Sequence, residues 1–231
     1  MSRRDNAEAR CTRCQLHSSL CICAELPCIV TRTRLVLLIH HKEQRKPTNT
    51  GRLAVECLQN AECWIRGHVD GGLDSFSADP DTLPLLLFPS EDAQLLTEFT
   101  GSDRPVTLIV PDGNWRQASK FRRRVRGLSQ VPTVILPPGT ATQYRLRHEP
   151  RKGGLATIEA IARALGILED QAVEAALLRV FSSMVERTLW SRGAIDSADV
   201  DGGLPSGAVR HDPLSGTTTS DASLPERRDR C

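Results

Sequence analysis

Four apolar runs, each followed by a polar stretch with helical character, constrain this chain more than any other feature. They are "RLVLLIH" (34–40), "LPLLLFP" (83–89), "RPVTLIVPDG" (104–113) and "VPTVILPPG" (131–139). Short, nearly continuous apolar runs bounded by turn residues are the pattern of strands buried on both faces. "ECWIRGHV" (62–69) adds a shorter strand. Helices are expected over "TGRLAVECLQ" (50–59), from "SEDAQLLTEF" (90–99) with Ser90 as N-cap, and over "WRQASKFRRRVRGL" (115–128), closed by Gly127. Thr157 is read as the cap of "IEAIARALGIL", and a last helix runs from Gln171 to Trp190. Strands alternating with helices predict an α/β fold, a mostly parallel sheet with helices on both faces. Ligands in such folds collect at the carboxyl ends of strands. Three loops meet there, "FPSEDA", "PDGNW" and "LPPGT", and the middle one places Asp112 at a strand end.

The 231 residues, 39% hydrophobic and 25% charged, suit one substantial globular unit with a small appendage. Composition divides the chain into a Cys-rich segment (1–30), an α/β domain (31–190) and a Ser/Gly/Asp/Pro-rich tail (191–231) expected to be disordered. No run of eighteen apolar residues occurs, and "MSRRDNAEAR" lacks the apolar core of a signal peptide. A soluble, cytoplasmic protein without a membrane partner is expected.

Five of the eight cysteines fall between Cys11 and Cys28. A segment this short holds no core of its own without a staple, and a reducing cytosol disfavours disulfides. Cys11-x-x-Cys14 and Cys21-x-Cys23 offer four soft ligands for a tetrahedral ion, with zinc preferred over an iron–sulfur cluster. His17 and Cys28 are possible substitutes for one ligand, and free thiols are the plain alternative.

Net charge is only +2, but "RQASKFRRRVR" places six cations in eleven residues. Arg116, Lys120 and Arg123, with Arg124 beside them, would form a cationic stripe on a continuous helix. Such a stripe suits a phosphate backbone, and it also describes an ordinary solvated face. "HHKEQRKPTNTGRLA" (40–54) leads from a strand into a helix start that can bind an anion or be a plain polar turn. In "GGLATIEAIARAL" (153–165), Glu159 in the first turn complements the helix dipole, which explains it structurally.

Taken in order, the CxxC…CxC cluster, "HKEQRKPTNTGRLA", "LLFPSEDA", "VPDGNWRQASK", "YRLR" and "LATIEAIARAL" resemble the DTW-domain family of tRNA-uridine aminocarboxypropyltransferases. The likeness covers roughly residues 11 to 190. It implies a SPOUT-like, knotted fold with a zinc-binding appendage on Cys11, Cys14, Cys21 and Cys23. It also implies transfer of the 3-amino-3-carboxypropyl group of S-adenosylmethionine to N3 of a tRNA uridine, with release of methylthioadenosine. Two positions depart from the family pattern: Asn114 stands where a Thr precedes the Trp, and Ala156 where a Ser precedes Thr157.

Under that resemblance, Asp112 is the candidate base. Phe88, Pro89, Gly113, Trp115, Leu136, Leu155 and Thr157 are the candidate cradle for S-adenosylmethionine. Arg45, Asn49, Arg52, Lys120, Arg123, Arg145 and Arg147 are the candidate tRNA contacts. Two rival readings remain: an RNA methyltransferase of the same broad fold, which would release S-adenosylhomocysteine, and a zinc-stabilised RNA-binding module without activity.

Overall fold

The computed structural model of the chain describes residues 9–44, 46–67, 75–113, 115–146 and 154–210, with Trp115 described for its backbone alone. In chain order its elements are β1 (Arg34–His40), α1 (His41–Gln44), α2 (Gly51–Cys57), β2 (Ala61–Arg66), β3 (Leu83–Leu87) and β4 (Gln94–Leu95). β5 (Val106–Asp112), α3 (Trp115–Ala118), α4 (Phe121–Arg124), β6 (Thr133–Ile135), α5 (Thr157–Leu168) and α6 (Gln171–Ser191) follow. Six strands form one sheet in the order β2-β1-β5-β3-β6-β4. Every pairing is parallel.

Side chains alternate across the sheet with a period of two. Leu35, Leu37, Leu85, Leu108 and Val110 face α2, α5 and α6, forming the larger core. Val36, Leu38, Leu86 and Ile109 face the other way, against Phe76, Phe121, Val125 and Leu128. Burial of each such side chain is worth about 1.5–3 kcal/mol, so both faces of the central strands drive folding. α5 buries Ile158, Ile161, Ala162 and Leu165, the spacing of one apolar helix face. α6 starts at Asp170, whose carboxylate accepts the Val173 N–H at 2.9 Å. Gly51, at the start of α2, lets that helix sit against β1 and α5. A Cβ there would lie 2.9 Å from Leu37 Cδ1 and 3.1 Å from Thr157 Cγ2.

Four expectations change. Residues 90–99 form no α-helix: Gln94 and Leu95 pair with β6 as an edge strand, and Leu96–Phe99 is a 3₁₀ turn. Only Leu96 of that turn is buried, too little apolar face to hold a longer helix. The basic helix is broken into α3 and α4, with a turn at Ser119 and Lys120. Repulsion between cations four residues apart opposes continuous helix there. Thr157 is the first helical residue rather than the cap, a position held by Ala156 in extended conformation. Finally, residues 192–210 of the tail are ordered. Val200 packs with Leu20 and Trp190, and Asp201 N–H donates to Glu186 at 2.7 Å. Residues 211–231 lie outside the described residues.

The Cys-rich segment is not a separate module. Cys14, Leu16 and Ile22 belong to the larger core, and Arg13 pairs with Glu56 of α2 at 2.7 Å.

Candidate active site and metal cluster

Asp112 is the last residue of β5, in register with Ile39 of β1 and 5% exposed. A carboxylate is costly to bury without hydrogen-bond partners. Here Thr157 donates through Oγ1 to Asp112 Oδ1, and Asn49 donates through Nδ2 to Oδ2. Asn49 is itself fixed, since its Oδ1 accepts the Arg52 N–H at 3.1 Å. The carboxylate is thus held from two elements and cannot swing with its own loop. Gly113 follows at φ 151, and a Cβ there would meet Gln117 Oε1 at 2.9 Å. The turn out of β5 therefore needs glycine.

A cavity of about 590 Å³ opens beside Asp112. Leu87, Val110, Val134, Leu136 and Ala160 supply an apolar floor, while Asn49, Thr50, Thr142 and Thr157 supply hydroxyl and amide groups. The segment 140–144 crosses one side as a strap. Glu159, 2% exposed, accepts from Thr142 Oγ1 at 2.5 Å, Gln143 N–H at 2.7 Å and Ala156 N–H at 2.8 Å. Tyr144 ties the strap to the β1–α2 connection by donating to the Thr48 carbonyl at 2.9 Å. At the rim Lys46 pairs with the buried Glu43 at 2.6 Å.

Of the residues singled out in the sequence, Asp112, Phe88, Pro89, Gly113, Leu136, Leu155, Thr157 and Asn49 all line this cavity. The Trp115 side chain, Arg45 and Arg147 lie outside the described residues. Asn49, expected at the RNA, has its amide committed to Asp112 and to the start of α2. Arg52 donates to the Gln44 carbonyl at 3.0 Å. Arg123 and Arg145 are exposed, and Lys120 faces a separate hollow. The sequence reading missed Glu159, Thr142 and Tyr144 as cavity-shaping groups. Ala156, which cannot cap with its own side chain, followed three residues later by Glu159 was the available signal: the glutamate serves the helix start and the strap together.

At the N-terminal segment, the Sγ atoms of Cys11, Cys14, Cys21 and Cys23 all lie within 4.8 Å of one another. Cys11 and Cys23 are 3.4 Å apart, and Cys14 and Cys21 3.8 Å. Four thiolates around a tetrahedral ion at about 2.3 Å sit roughly 3.8 Å from each other, so the donor set fits a metal. Hydrogen bonding from Cys14, then from Cys21 and Cys23, holds the Cys11 thiol below its usual range. Cys14 is pushed up, first by its bond to Cys11. Arg187 of α6, 2% exposed, anchors the cluster by donating to the Cys21 carbonyl at 3.1 Å and to Glu25 at 2.5 Å. The same guanidinium reaches the Gly203 carbonyl at 3.3 Å, joining the ordered part of the tail to the cluster.

Fold and site together define a parallel α/β protein with a ligand-sized cavity at its strand ends, a fixed buried carboxylate in the cavity wall and a four-cysteine cluster. The DTW domain pattern matches residues 8–189, and the chain belongs to that family. It is 29% identical over 177 residues to tRNA-uridine aminocarboxypropyltransferase 2 of Drosophila melanogaster, covering 72% of this chain and 69% of the fly protein. It is 30% identical over 193 residues to the Mus musculus protein of the same name, covering 78% of this chain and 64% of the mouse protein. The chain thus spans about two thirds of the length of these relatives. Among solved structures, the SAM-dependent rRNA:acp-transferase Tsr3 from Vulcanisaeta distributa is similar with a TM-score of 0.43 at 20% identity, over 74% of this chain and 86% of that one.

Proposed function

We propose that this chain is a tRNA-uridine aminocarboxypropyltransferase, moving the 3-amino-3-carboxypropyl group of S-adenosylmethionine to N3 of a tRNA uridine. The observation that carries this reading is Asp112, fixed by Thr157 and Asn49 in the wall of a 590 Å³ cavity, in a chain whose relatives bear that name. The volume falls within the usual range for small-molecule sites, about 300–1,000 Å³. Its apolar floor suits a thioether and an adenine, and its hydroxyl-rich rim suits ribose and amino-acid groups.

S-adenosylmethionine supplies the electrophilic carbon and a neutral thioether as leaving group. The chain supplies placement and a proton acceptor. The Phe88–Pro89 and Leu136 loops, with Leu155, exclude water and hold the donor, so that its side-chain carbon, not its methyl, faces the uridine. Asp112 stands to accept the N3 proton. As the N3–carbon bond forms, the carbon–sulfur bond breaks, its electron pair leaves with methylthioadenosine, and the N3 proton passes to Asp112 and on to solvent. Thr157 and Asn49 keep the carboxylate aimed throughout.

In the four-cysteine cluster we place a structural zinc, because all four positions are filled by protein. A cytoplasmic setting, which keeps thiols reduced, suits a four-cysteine cluster of this kind. No helix among the described residues is long and apolar enough to cross a membrane. Incubation with unmodified tRNA and S-adenosylmethionine, followed by mass analysis of nucleosides, tests the reading. An aminocarboxypropyl-sized gain on uridine with methylthioadenosine released supports it. A methyl-sized gain supports the methyltransferase, and tRNA binding without any consumption of S-adenosylmethionine supports the inactive RNA-binding module.

A further inference from the structure

We propose that a second hollow, on the opposite face of the sheet from Asp112, is a phosphodiester pocket that seats the RNA backbone. This deepens the reading of tRNA as substrate and rests on it.

The carboxyl ends of β2, β1 and β5 lie side by side, with Arg66 in register with His40 and Ile39 with Asp112. Alternation sends Asp112 to the same face as Val110, towards α5. It sends His40 and Arg66 to the face of Leu38, towards α3 and α4. There Arg116, Lys120 and Arg124 converge on His40 and Arg66 around a hollow of about 250 Å³. α3 is the partition: Gln117 borders this hollow and Ala118 borders the cavity of Asp112. Two strand spacings separate Arg66 from Asp112, about 10 Å across the sheet.

Among the described residues, the cations in this hollow form no ion pair. The ion pairs among the described residues involve Arg13, Arg34, Lys46, Arg122, Arg187 and Arg210, and none of Arg66, Arg116, Lys120 or Arg124. Arg66 Nε is buried with no hydrogen-bond partner among the described residues, while its Nη2 donates to the Arg124 carbonyl at 3.2 Å. Arg116, followed by desolvation and by Arg124 and Arg123, pulls the Lys120 amine below its ordinary range. Arg122, on the same short helix, behaves differently and is clasped by Asp92 at 2.9 and 2.7 Å.

Glu43, whose charge reaches His40, is already paired with Lys46 at 2.6 Å, so the cations here stay in excess and an incoming anion stabilises them. Forked guanidinium donors arriving from several directions match the oxygens of a phosphate. His40 adds a neutral donor: its Nδ1 accepts the Lys42 N–H at 3.3 Å, leaving Nε2 to carry the ring proton. Phe121 in the lining is 2% exposed and offers no face for base stacking, and the His40 ring already lies against His41, 4.5 Å between centroids. The hollow therefore suits backbone rather than base. An RNA strand with its uridine beside Asp112 would cross the sheet edge and set a neighbouring phosphate between Arg66 and Lys120.

The test uses the full chain and unmodified tRNA, with Kd measured over a range of salt and transfer measured alongside. In Arg116→Gln/Lys120→Gln, both residues being on the surface, tRNA Kd should rise about tenfold. The slope of log affinity against log salt should flatten by about one. Arg66→Gln should act in the same direction, while S-adenosylmethionine affinity without RNA stays unchanged in both variants. Arg122→Gln removes the same charge from the same segment and should change Kd less than twofold. Wild-type binding by the double variant, or equal weakening by Arg122→Gln, would overturn the pocket. If wild-type protein shows this binding pattern yet makes no product, the pocket stands and the transferase reading falls. If the double variant turns over with an unaltered KM for tRNA, the pocket falls and the transferase reading stands.

Discussion

Thr157, the first residue of α5, donates a hydrogen bond from its hydroxyl to Asp112, the last residue of β5, across 45 positions of sequence. That bond joins the helix start to the strand end and sets the direction of the one carboxylate in the cavity wall that the proposed chemistry uses. Thr157→Val keeps the shape and removes the donor. kcat/KM should fall roughly tenfold, equivalent to about 1.4 kcal/mol, near the lower end for a hydrogen bond to a charged group. Thr157→Ser should retain most activity. Full activity in Thr157→Val with loss in Thr157→Ser would show that the methyl group, not the hydroxyl, is what matters.

Gly51 touches the same device from behind, because an added Cβ would press on Leu37 and on the Thr157 methyl. Gly51→Ala should lower stability by about 1–3 kcal/mol through overpacking and slow transfer several-fold. Combined with Thr157→Val, the two losses should be less than additive, since both act through one contact. Denaturant unfolding and transfer kinetics on the four proteins of the cycle measure this.

Glu159 governs the strap. Its carboxylate takes three donors from Thr142, Gln143 and Ala156 while 2% exposed. Glu159→Gln turns one accepting oxygen into a donor that faces other donors, costing roughly 2–3 kcal/mol. With the strap loosened, KM for S-adenosylmethionine should rise more than kcat falls. An unchanged KM would show that the strap does not close the donor site.

The cysteine cluster and Arg187 form a second structural unit. Purified protein should carry one equivalent of zinc, and a strong chelator should lower the melting temperature. Arg187→Met leaves Glu25 without its partner and removes the donors to Cys21 and Gly203. It should destabilise the protein and weaken metal retention together. Full metal content in a destabilised Arg187→Met protein would separate the two.

Much of this was legible in the residues. Runs such as "RLVLLIH" and "VTLIVPD" declare buried parallel strands because both faces need apolar cover, and Asp112 stands out as the charge that ends one. The four cysteines declare a metal-sized cluster by density alone. What could not be read was long-range partnership. Thr157 looked like a helix cap because its hydroxyl suits that role locally, and only folding shows that the hydroxyl faces Asp112. Asn49 looked like an RNA contact because it sits among cations, yet its amide is used inside the wall. The basic stretch looked like one helix because its periodicity is helical, and crowded like charges break it. Arg66 and His40 come to that stretch from strands far earlier in the chain, so their shared hollow had no local signal.

The central claim is that Asp112 accepts the N3 proton. Single-turnover transfer by Asp112→Asn, with the donor affinity measured separately by calorimetry, tests it most directly. The account predicts a rate lower by about two to four orders of magnitude, with S-adenosylmethionine still bound and the chain still folded. Transfer within tenfold of the wild-type rate would contradict it.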